Sequence, residues 1–120
     1  MLERFHKYNT EKGLFRIQDK LLVAISGGVD SVVLCHLLKQ YGANFALAHC
    51  NFGLRGEESN SDETFVEQFA EDLQVSIHIK SFSPIELSKE RGISIQMAAR
   101  ELRYEWFKTL CIQKEYNYLL

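Results

Sequence analysis

LLVAISGGVDSVVLCHLL, residues 21–38, is the stretch from which the fold can be read. An unbroken apolar run from Leu21 ends in Ser26, Gly27 and Gly28. Asp30 and Ser31 follow, and then Val32, Val33, Leu37, Leu38 and Tyr41 recur at helical spacing up to Gly42. The apolar run predicts a strand over Lys20–Ser26 buried on both faces. The later pattern predicts a helix that starts near Asp30 or Ser31 and is stopped by Gly42. A glycine pair between a buried strand and a helix N-terminus leaves bare amides at the strand's carboxyl end, where an anion can approach without meeting a Cβ.

The same grammar continues downstream. Asn44–Cys50 reads as a second strand, and residues 51–60, NFGLRGEESN, as a polar loop long enough to be functional. From Ser61 on, Phe65, Val66, Phe69, Ala70 and Leu73 form one face of an amphipathic helix. Val75, Ile77 and Ile79 alternate with polar residues, which fits an edge strand better than a central one. A loop is expected over Ser81–Gly92. Ser94 then caps a long helix with the stripe Ile95, Ala99, Leu102, Trp106 and Leu110, and YNYLL at 116–120 reads as a fourth strand. A short leading helix is expected over Leu2–Thr10. Strands alternating with helices mean right-handed crossovers: an α/β fold, a doubly wound, mostly parallel sheet with helices on both faces.

Composition narrows the function classes. The 120 residues fit one domain or part of one, and 14 Lys and Arg against 16 Asp and Glu give a net charge of −2, so no overall positive field would hold a nucleic acid. The charged N-terminus lacks the apolar core of a signal peptide, and no run reaches the length of a membrane span, so a soluble, cytoplasmic protein without membrane contact is expected. Cys35, Cys50 and Cys111 are odd in number and widely spaced, which disfavours disulfide, zinc and iron–sulfur frameworks.

The glycine turn is neither G-x-x-x-x-G-K-[ST] nor G-x-G-x-x-G. It is S-G-G-x-D-S, five defined residues that chance would place in a chain of this length roughly once in several thousand sequences. Ordinary helix initiation explains a Gly-Gly turn and an Asp cap one at a time; the whole set in a strand-turn-helix setting points to phosphate.

Ser26–Ser31 resembles the PP-loop of the ATP pyrophosphatases, which cleave ATP between the α and β phosphates and pass AMP to a substrate oxygen. HCNFGLRGEESNSDETFVEQF from His49 and SIQMAARELRYEWF from Ser94 resemble segments of the tRNA(Ile)-lysidine synthetase family. Asn51 and Phe52 stand where many members of that family carry an acidic residue and a second histidine. The resemblance covers about residues 20–120 and implies that residues 1–120 are the N-terminal part of a PP-loop domain, with later strands and tRNA-binding domains lying beyond.

The resemblance further implies ATP-dependent modification of tRNA(Ile): adenylation of the wobble cytidine, then ligation of lysine. It assigns ATP to the loop Ser26, Gly27, Gly28, Val29, Asp30 and Ser31, and Mg²⁺ to Asp30 as a catalytic residue; beside it, His49 at the carboxyl end of the second strand is expected to border the nucleotide, and Arg100 and Arg103 are the further catalytic candidates. Arg100 and Arg103 are three apart, on one side of the helix, with no acidic residue at i±3 or i±4. Arg55 is a candidate contact for phosphate or RNA, while His6, His36 and His78 read as surface or packing residues. Two alternatives remain at this level: another adenylate-forming PP-loop enzyme of the tRNA thiolation or amidotransferase type, or a module that holds ATP without cleaving it. Val29 in place of a loop lysine and the lack of C-x-x-C weigh against thiolation.

Overall fold

The computed structural model describes residues 19–25, 29–53 and 57–120, the side chains of Val29, Asp30 and residues 57–59 excepted. The elements are β1 (Lys20–Ala24), α1 (Val29–Tyr41), β2 (Asn44–Asn51), α2 (Glu57–Leu73), β3 (Ile77–Ser81), α3 (Pro84–Arg91), α4 (Ile95–Gln113) and β4 (Tyr118–Leu119). The leading helix expected over Leu2–Thr10 lies outside the described residues.

Four strands form one sheet in the order β3-β2-β1-β4, with every pair parallel. β1 is central and its apolar run is buried at Leu21, Leu22 and Val23. β3 is an edge strand, as its alternation predicts. The chain steps from β1 to β2 to β3 in one direction, then returns past β1 to place β4 on the other side. Right-handed crossovers running in opposite directions put their helices on opposite faces. Accordingly, Leu21, Val23, Ile25 and Leu47 pack with Cys35 and Leu38 of α1 and Val66, Phe69, Ala70 and Leu73 of α2. Leu22, Ala46 and Ala48 pack with Phe107 and Leu110 of α4 on the other face.

The helix ends follow local chemistry. Gly42 takes φ 87°, and the amides of Gly42 and Ala43 bond back to Leu38 O at 3.1 and 3.0 Å, which closes α1 and turns the chain into β2. Ser94 accepts a hydrogen bond from the Met97 amide at 3.1 Å and caps α4 as expected.

Four expectations need correction. The polar stretch 51–60 is not wholly a loop, because α2 already begins at Glu57; its first turn carries no apolar residue, so periodicity is silent there. The segment 81–92 is not a loop throughout, since it contains α3. Pro84 at the first helical turn and Gly92 in the left-handed region, φ 65°, are its start and stop signals, and the helix has too short an apolar pattern to reveal itself otherwise. β1 ends at Ala24, although Ile25 still donates to Ala48 O at 2.9 Å. The inward face of α4 is centred on Ala98, Ala99, Phe107 and Leu110, and Ile95 from the expected stripe lies exposed at its start.

Candidate functional site at the carboxyl edge of the sheet

In an open parallel sheet, ligands sit beyond the strands' carboxyl ends where the strand order reverses. Here that place lies between β1 and β4, and α1 starts five residues after the end of β1. Its free amides and the positive end of its dipole therefore stand at the same edge. Asp30 and Ser31 occupy its first turn. Ser26, Gly27 and Gly28, expected to cradle phosphate, lie outside the described residues.

On the α4 face the strand ends carry small side chains. Ala24 and Ala48 are register partners, and Cys50 is the next residue of β2 on that face. The space they leave under α4 is a cleft of about 150 Å³, lined by Ala24, Ile25, Ala48, His49, Cys50, Arg103 and Phe107. A larger groove of about 590 Å³ runs along Arg91, Met97, Arg100, Glu101, Tyr104 and Glu105. It lies away from the strand ends and holds two carboxylates, so the smaller cleft is the better place for an anionic ligand.

His49 is 5% exposed, and its Nδ1 lies 2.8 Å from Ile25 O. A carbonyl only accepts, so Nδ1 carries the hydrogen and donates it. This bond fixes the ring at the cleft edge. His49 thus has a structural anchor and a place at the expected site.

The two arginines of α4 part company. Arg103 reaches the cleft, where its guanidinium lies 5.6 Å from the centre of the Phe52 ring and close enough to the Cys50 thiol for its charge to pull that pKa down. Arg100 lines the larger groove instead, 5.5 Å from the ring centre of Tyr104 on its own helix. Neither forms an ion pair with a carboxylate among the described residues, whereas Arg91 pairs with Glu101 at 2.6 Å. Three-residue spacing put both on one side of the helix, but a separation of about 60° and one helical turn is enough for two long side chains to serve different openings.

Two residues of the site were not singled out for these roles by sequence reasoning. Asn51 is 7% exposed, its Nδ2 lies 3.3 Å from both Asn60 Oδ1 and Glu63 Oε1, and its Oδ1 accepts from the Gly53 amide at 2.9 Å. It ties the end of β2 to α2. Phe52 forms the ring under Arg103. An asparagine two residues before Gly53, at the end of an apolar strand pattern, was the available signal.

The thiols are quiet. Burial pushes Cys35 and Cys50 up to about 11, and the neighbouring Arg103 charge pulls Cys50 only partly back. Cys111 is raised as well, again by burial. None is a nucleophile near neutral pH. His36 packs edge-on to Phe69 and His78 bonds Tyr116, both packing roles as expected. His6 and Arg55 lie outside the described residues.

Among the described residues no three of His, Cys, Asp and Glu converge on a point. A phosphate-bound Mg²⁺ needs only one or two protein carboxylates, so the presence of Asp30 in the first turn of α1 is compatible with that ion. No helix among the described residues is long and apolar enough to cross a membrane.

Comparison with known proteins agrees with this geometry. The chain is 49% identical to a tRNA(Ile)-lysidine synthase of Bacteroides thetaiotaomicron over 108 residues, which is 90% of this chain and 25% of that protein. It is 54% identical to the tRNA(Ile)-lysidine synthase of Porphyromonas gingivalis strain W83 over 101 residues, 83% of this chain and 22% of that protein. A Clostridium tetani tRNA(Ile)-lysidine synthase is 36% identical over 92% of the chain and 24% of its own length. The chain thus spans about a quarter of the length of the curated relatives it matches. Residues 2–120 match the family model described as the PP-loop domain, and with the S-G-G-V-D-S sequence following β1 and the strand-order reversal beside β1, the chain belongs to the PP-loop domain family.

Proposed function

We propose that this chain is the ATP-binding part of a tRNA(Ile)-lysidine synthase. The observation that carries the reading is the S-G-G-V-D-S sequence between central β1 and α1, beside the strand-order switch and a cleft with Arg103 at its lip. In this reaction the C2 carbonyl oxygen of a wobble cytidine attacks the α phosphorus of ATP and pyrophosphate leaves. The amine of lysine then attacks C2 of the adenylated base and AMP departs.

Each residue has a physical task. The amides opening α1, with Ser26, Gly27, Gly28 and Ser31, receive the departing pyrophosphate, whose charge the helix dipole favours. Val29 contributes main chain to the same turn. Arg103 supplies a permanent cation at the cleft, and His49, locked through Nδ1, borders the nucleotide. Arg100 faces the groove with Glu101 and Glu105 and has the lesser part in binding the nucleotide. Mg²⁺, held by Asp30, would neutralise polyphosphate charge when bound.

The test is a chimera in which this chain replaces the matching segment of the Porphyromonas gingivalis relative. Lysidine formation in tRNA(Ile) with ATP, Mg²⁺ and lysine is expected, together with its loss on Asp30→Ala at unchanged circular dichroism. A folded chimera without activity, or an active Asp30→Ala chimera, overturns the reading.

A further inference from the structure

Arg103 does not reach the cleft alone. Phe52, just after β2, lies with its ring centre 5.6 Å from the guanidinium and 5.6 Å from the ring of Phe82, just after β3. Phe82 in turn meets Trp106 of α4 at 5.8 Å and 70°, an edge-to-face contact. Trp106 is three residues beyond Arg103 on the same helix. The contacts therefore form a closed circuit from α4, through the segments leaving β2 and β3, and back to α4. The Phe82 amide donates to Asn51 O at 2.9 Å, which fastens those two segments by main chain as well.

We infer that Phe52 is a positioning residue for the nucleotide: with Phe82 and Trp106 behind it, its ring holds the Arg103 guanidinium at the lip of the cleft. An arginine on a helix surface samples many rotamers, and a ring face that attracts a cation selects among them. A ring attracts the cation without using up its N–H groups as a carboxylate would, so they remain free to meet an anion in the cleft that Cys50 also lines. A carboxylate partner would have pinned the side chain too, but would have cancelled the charge that the phosphates need. Lys80 lies 5.3 Å from the Phe82 ring centre, so the aromatic group carries a second cation on the same edge.

This inference rests on the proposed nucleotide site, and two measurements on the purified chain separate them. One is the pH profile of Cys50 alkylation in a Cys111→Ser background, which reports whether the guanidinium still sits beside the thiol. The other is the dissociation constant for ATP with Mg²⁺, by calorimetry. Phe52→Leu keeps apolar volume without the ring, and Phe52→Tyr keeps the ring. The Cys50 profile should move to higher pH in Phe52→Ala and Phe52→Leu and stay in place in Phe52→Tyr. ATP affinity should fall about three- to tenfold in the first two and recover in the third.

In an Arg103→Ala background, Phe52→Leu should cost nothing more. A loss that persists there means that Phe52 acts on the fold, and unchanged profile and affinity in Phe52→Leu mean that it does not hold Arg103; either overturns the inference. If the Cys50 profile moves while Arg103→Ala leaves ATP binding intact, the brace is supported and the nucleotide assignment of Arg103 falls. Should Phe52→Ala fail to fold, Phe52→Leu carries the comparison.

Discussion

At the scale of single residues, the contrast between Arg103 and Arg100 is the sharpest consequence of the structure. Both are exposed arginines on α4, yet only Arg103 lines the cleft at the strand ends. A charge-assisted contact to phosphate contributes about 1.5–3 kcal/mol. Arg103→Ala is therefore expected to weaken ATP binding by about tenfold or more and Arg100→Ala by little, with Arg103→Lys intermediate because a point charge lacks the planar fork. Calorimetric titration of the three variants checks this, and equal losses for the two Ala variants would return them to a common role. His78 gives a second prediction at this scale. Its Nε2 shares a hydrogen bond with the Tyr116 hydroxyl at 2.8 Å. Burial, then the charges of Lys114 and Lys20, lower its pKa from 6.5. Because the folded value is depressed, the stability involved is whole above 6.5 and is lost as pH falls through the lowered value. Thermal unfolding should show a smaller acid-side drop in His78→Gln than in the parent.

At the scale of elements, α4 matters most because it presents Arg103, Trp106 and Phe107 to the sheet. Its N-cap is Ser94, and Ser94→Ala should cost about 1 kcal/mol, seen as a lower urea midpoint with the slope unchanged. This cap could be read directly from the sequence, as could β1, β2, α1 and the edge position of β3, since each combines a long apolar pattern with a stop or start residue. The helix α3 and the first turn of α2 escaped because they carry little apolar periodicity, although Pro84 and Gly92 were in plain view. The candidate site was legible in its local part, the strand ends and the start of α1, while the glycines between them lie outside the described residues. The circuit Arg103, Phe52, Phe82 and Trp106 was not, because it joins three segments that only the sheet order brings together. For the same reason spacing along α4 paired Arg100 with Arg103, and the tertiary setting separated them.

At the scale of the whole molecule, the question is how much of the proposed reaction these 120 residues support by themselves. The cleft between the sheet and α4 is about 150 Å³, below the roughly 300 Å³ at which small-molecule sites usually begin, so it can enclose part of a nucleotide and leave the rest uncovered. The net charge of −2 gives no long-range attraction for a polyanion, and affinity for tRNA depends mainly on neutralising phosphates. Without a bound anticodon the cytidine oxygen is not held in line with the α phosphorus, and that alignment supplies much of the rate in such a transfer. The purified chain is therefore expected to bind ATP weakly, to show no saturable binding of tRNA(Ile) at physiological salt, and to form no lysidine when given ATP, Mg²⁺, lysine and that tRNA. The chimera with the Porphyromonas gingivalis relative should regain all three. Filter binding and nucleoside analysis of the recovered tRNA make the comparison, and lysidine formation by the isolated chain at the chimera's rate would show that the sheet and this cleft suffice.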